Sequence, residues 1–75
     1  MADRREPAPD VERVVHNPRV LGGKPTIRGT RISVAFILEA LAGMTGDELL
    51  LDYPVLKRDD LNAALRYAAR ELEVR

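Results

Sequence analysis

The residues with the most obvious chemical potential are Gly22-Gly23-Lys24, a glycine pair followed by a cation. A phosphate loop needs backbone N–H groups that cradle phosphates, and a lysine followed by a Ser or Thr that opens a helix. Here Pro25 follows Lys24, which removes one donor N–H and disfavours helical geometry at the lysine itself. The segment therefore reads as turns between short strands. His16 is the only histidine and stands beside Asn17-Pro18, without the nucleophile and orienting group that would make it a catalytic base. No cysteine is present, so thiol nucleophiles, disulfides and thiolate metal ligands are excluded together. A metal site would need carboxylates alone, and the acids are scattered rather than set at ligand spacing. The expectation is a non-enzyme with no metal and no cofactor.

Two other sets of residues suit recognition better than catalysis. Asn62, Arg66 and Arg70 recur every four residues, so a helix would present them on one stripe. Asn suits adenine and Arg suits guanine or phosphate, while Lys57 and Arg58 just upstream could reach the DNA backbone. Asp59 and Glu73 share the stripe and would repel phosphate, and the competing reading is a solvated face. The second set is Arg28 and Arg31, three residues apart around Gly29, which could grip acidic groups of a partner protein bidentately. Its competing reading is an ordinary turn surface.

The elements that must position these residues follow from pattern. Seventy-five residues allow one small domain with a marginal core. Met1 to Asp10 is polar, holds Pro7 and Pro9, and reads as a disordered arm ahead of a single domain over residues 11–75. Val14-Val15 and the β-branched residues flanking Gly29 imply short strands, with the glycine free to take positive φ. Ser33 caps a helix over VAFILEALA, which Gly43 stops. Thr45 and Glu48 form a capping-box pair for a second helix from Gly46 to Asp52, and Arg58 to Glu73 carries a 3.6-residue period for a third. The expected core is Val34, Ile37, Leu38, Leu41, Leu49, Leu61, Leu65, Ala68 and Leu72. Short strands followed by three helices, a brief second joined tightly to a longer third, outline a helix-turn-helix.

Because VAFILEALA is apolar on nearly all sides, a homodimer is expected with Phe36 and Ala40 at its interface, helped by strand pairing from the GTRIS segment. Net charge is zero, yet five cations lie between Arg13 and Arg31, whereas four acids and no Lys or Arg lie between Val34 and Leu56. That polarity suits nucleic acid or an acidic partner. No apolar run reaches the length of a membrane span and no signal-peptide pattern opens the chain, so a cytoplasmic protein is expected.

The run His16-Asn17-Pro18, Gly22-Gly23-Lys24-Pro25-Thr26-Ile27 and Gly29-Thr30-Arg31-Ile32 is followed by Gly43-Met44-Thr45, Glu48, Tyr53-Pro54 and Leu56, then Ala63-Ala64-Leu65 and Tyr67-Ala68. Together these residues closely resemble the small prokaryotic family called domain of unknown function 433, over about Val14 to Leu72. The resemblance implies a mostly α, homeodomain-like helix-turn-helix domain preceded by short strands. It further implies an antitoxin-like protein paired with a PIN-like nuclease toxin, with double-stranded DNA as a second partner. One departure is Lys57, where the family opens its third helix with Thr or Ser. Lysine cannot cap a helix N-terminus, so Asp59 and Asp60 are expected to supply the favourable charge there. Two functions stand: a DNA-binding antitoxin, or a protein-interaction module that neutralises a nuclease without touching DNA.

Overall fold

A computed structural model describes residues 12–73. The arm expected over Met1 to Asp10 lies outside them. The described chain opens with β1 (Val14–His16), which pairs antiparallel with β2 (Pro25–Ile27) in the register Val14 to Ile27, Val15 to Thr26 and His16 to Pro25. Three helices follow: α1 (Val34–Leu41), α2 (Gly46–Asp52) and α3 (Arg58–Glu73). The arrangement is mostly α with an N-terminal β hairpin, and α2, the short connection and α3 form the helix-turn-helix.

Glycine placement explains the hairpin. Between the strands the backbone makes a left-handed turn in which Leu21, Gly22 and Gly23 have φ of 50°, 66° and 87°. After β2, Gly29 takes φ of 81° and lets the chain fold back, so that Ile27 N–H donates to Ile32 O at 2.9 Å and Thr26 bridges Ser33. The GTRIS segment, expected as an open edge for a second subunit, is thus already paired with its own β2 on one side.

Local capping sets the helix starts. Ser33 Oγ accepts from Phe36 N–H at 2.9 Å to open α1. At α2, Thr45 Oγ1 accepts from Glu48 N–H at 3.1 Å while Glu48 Oε1 accepts from Thr45 N–H at 2.8 Å, the reciprocal capping box. The core assembles Ile27 from β2, Val34 and Ile37 from α1, Leu49 from α2, Leu56 from the connection, and Leu61 and Ala64 from α3.

The expected phase of α3 needs correction. Leu65 is 48% exposed and Leu72 is 82% exposed, whereas Asp60, Leu61, Ala63 and Ala64 are buried. The inward stripe runs through residues 60, 61, 64, 67 and 68, rotated from the leucine stripe. Tethers at Asp60 and Tyr67 hold that rotation. Leu72 also outruns its cover: α3 has 16 residues and α1 only 8, lengths of about 24 Å and 12 Å at 1.5 Å per residue.

Candidate functional site

The start of α3 is built by one of the two first-turn acids expected to supply charge there, and it also caps the helix. Asp60 is 4% exposed, and its Oδ2 accepts from Lys57 N–H at 2.9 Å while its Oδ1 accepts from Arg13 Nη1 at 3.0 Å. The carboxylate thereby serves the end of the helix that Lys57 cannot cap, and it ties α3 to the segment entering β1. Arg13 Nη2 also reaches Asp59 Oδ2 at 3.4 Å, which places a positive charge beside the acid expected to repel phosphate. A second tether lies two turns on, where His16 Nε2 and the Tyr67 hydroxyl are hydrogen-bonded at 3.0 Å. Burial, and secondarily the carboxylate of Glu71, hold the Tyr67 phenol above the ordinary tyrosine range. His16 is therefore a structural partner of α3.

Anchored in this way, α3 turns Asn62, Arg66 and Arg70 outward, all three exposed along one side. Leu65 and Ala69 are exposed on the same side. Lys57 and Arg58 are exposed at the helix start, but the Arg58 guanidinium pairs with the Asp47 carboxylate of α2. The stripe read from sequence is therefore present, with Arg58 engaged by a neighbouring acid.

The structure separates the two arginines expected to act together on a partner. Arg28 Nε donates to the Glu12 carbonyl at 3.0 Å, and its Nη2 donates to the same oxygen, so the guanidinium clamps backbone. Arg31 instead lines a surface hollow with Leu21, Ile32, Ser33, Phe36 and Tyr53. Of the two expected interface residues, Phe36 is exposed, whereas Ala40 is half-buried and packs against the core. Phe36 packs edge to face on Tyr53, with ring centroids 5.3 Å apart at 75°. Among the described residues, no group of three or more His, Asp or Glu is placed to hold a metal ion, and no helix is long and apolar enough to cross a membrane.

Residues 14–68 match the model of the family described as protein of unknown function, DUF433. The chain belongs to the DUF433 family. A crystal structure of a DUF433 member protein from Anabaena variabilis is similar, with a TM-score of 0.71 at 37% identity, covering 81% of this chain and 61% of that one. This DUF433 chain thus spans less than two thirds of that relative's length. No curated protein matches the chain.

The capping role of Asp60 and the tethering roles of Arg13 and Tyr67 escaped the reading of the sequence for a physical reason. Asp60 sits three positions after Lys57, which is the capping-box offset, but the pattern is keyed to a hydroxyl at the first position and lysine hides it. Arg13 and Tyr67 find partners 47 and 51 residues away, separations that no local spacing encodes.

Proposed function

We propose that this DUF433 chain is a non-catalytic binding module, the antitoxin of a toxin–antitoxin pair, whose α3 enters the major groove of double-stranded DNA. The observation that carries the reading is the exposed alignment of Asn62, Arg66 and Arg70 on a helix whose opposite side is fixed at two tethers, Asp60 and Tyr67. A reading helix must hold its side chains steadily against base edges, and the two tethers of α3 support that reading. The charge of Asp59, which would oppose the approach of phosphate, is offset by Arg13 at 3.4 Å. Lys57, Arg19 and Lys24 supply cations suited to the flanking backbone. A PIN-like nuclease is the protein partner in this reading.

Anisotropy titrations against the region upstream of the chain's own reading frame test it. Arg66→Ala is expected to weaken binding and cut discrimination between cognate and scrambled duplex by about 1–3 kcal/mol. Arg19→Ala or Lys24→Ala is expected to lower affinity evenly across sequences and reduce the salt slope by about one. Binding by wild type that shows no dependence on sequence refutes the DNA role. The function then becomes that of a protein-interaction module that neutralises a PIN-like nuclease without DNA.

A further inference from the structure

We propose that the Phe36–Tyr53 face is the seat of a second copy of this chain, closed across a two-fold axis by Arg31 of each protomer against Asp52 of the other. Two hollows meet on this face and share Phe36 and Tyr53. Arg31 lines one hollow and Asp52 lines the other, so the edge-to-face aromatic pair stands between a cation and an anion. A two-fold rotation about the aromatic pair lays aromatic on aromatic and brings each Arg31 opposite the other protomer's Asp52. That layout is self-complementary, the defining property of an isologous interface. A partner carrying charge of a single sign would meet a like charge at one end of the groove.

The charges themselves point the same way. Arg31 and Asp52 are both exposed, and neither makes a hydrogen bond or ion pair with a described residue. Asp52 is the last residue of α2, where the exposed carbonyls of the helix end disfavour a carboxylate. An acid kept at that position without a partner in its own chain fits a cation supplied by another. The apolar side is comparable: Leu21, Phe36 and Tyr53 are 41%, 39% and 36% exposed, and Leu21 is held at φ of 50°, a conformation that leucine rarely adopts. So small a domain buries too little of its own surface to make such a face idle, and a second copy covers it. Asn62, Arg66 and Arg70 line neither hollow, so this assembly does not rest on the DNA reading and survives its failure.

Sedimentation equilibrium of the full chain decides the matter. Wild type is expected to be a dimer at micromolar concentration. Arg31→Asp and Asp52→Arg each place two like-charge contacts in the interface, and each is expected to weaken the dimer by about tenfold or more. The double variant, Arg31→Asp with Asp52→Arg, re-forms both pairs with the signs exchanged and is expected to return the dissociation constant to within about threefold of wild type. Both side chains are exposed and unpartnered, so the monomer fold is kept, and far-ultraviolet circular dichroism checks it. A wild type that is monomeric up to about 100 μM overturns the proposal. So does a dimer that ignores both single reversals, or a double variant no tighter than the singles.

Discussion

Replacing Asp60 tests how α3 is held. Its carboxylate accepts from Lys57 N–H at 2.9 Å and from Arg13 Nη1 at 3.0 Å, and the side chain is 6% exposed against 34% for Arg13. The capping contact contributes about 1 kcal/mol, as N-terminal caps usually do. The pair with Arg13 is partly screened by water, which limits it to about 1 kcal/mol. Removing the acid also leaves the half-buried guanidinium without its main counter-charge, a loss that partly offsets the relief of no longer burying a carboxylate. Asp60→Ala should therefore cost about 2–3 kcal/mol, against a total of about 4–11 kcal/mol for a chain of this length. At the entropy of unfolding usual for so small a domain, the melting temperature should fall by about 10–20 °C. Asp60→Asn keeps an acceptor for Lys57 N–H and loses only the charge, so about 1 kcal/mol is expected. Urea denaturation of the four species formed by Asp60→Ala and Arg13→Gln isolates the pair. A melting temperature for Asp60→Ala within about 2 °C of wild type would refute the reasoning. Equal costs for Arg13→Gln in both backgrounds would remove the ion pair from the account.

Other outcomes follow from the rotation of α3 and from its second tether. Leu61→Ala should cost about 2–5 kcal/mol because Leu61 is 3% exposed, whereas Leu65→Ala at 48% exposure should cost under about 1 kcal/mol; comparing their urea midpoints checks the phase directly. Tyr67 has its folded pKa raised by burial and by Glu71, so its neutral form is favoured in the native state. Its contribution is complete below the unfolded value of about 10 and is lost as pH climbs through the raised folded value. Wild type should then lose stability above about pH 10 more steeply than Tyr67→Phe does, and parallel alkaline limbs in the two urea series would contradict it.

What could be read from residues alone was local. Three helices with their boundaries, the Thr45–Glu48 capping box, the Ser33 cap and the positive φ at Gly29 are all decided by neighbours within four residues. Side-chain geometry at that range is the same in almost any fold, so spacing is enough to read them. The exposed stripe of Asn62, Arg66 and Arg70 was legible for the same reason, since a helix repeats every 3.6 residues whatever it packs against.

The rotation of α3 was not legible, because two stripes satisfy the period and the choice between them is made elsewhere in the chain. Leucines argued for one, but Arg13 drawing in Asp60 across 47 residues and His16 drawing in Tyr67 across 51 selected the other. Arg28 and Arg31 were parted in the same way: both are cations near one glycine, yet the Glu12 carbonyl takes the first and the second turns toward Phe36 and Tyr53. Composition and period fix which residues can lie together on an element. Which side of that element faces the core depends on contacts distant in sequence, and these form only when the chain closes on itself.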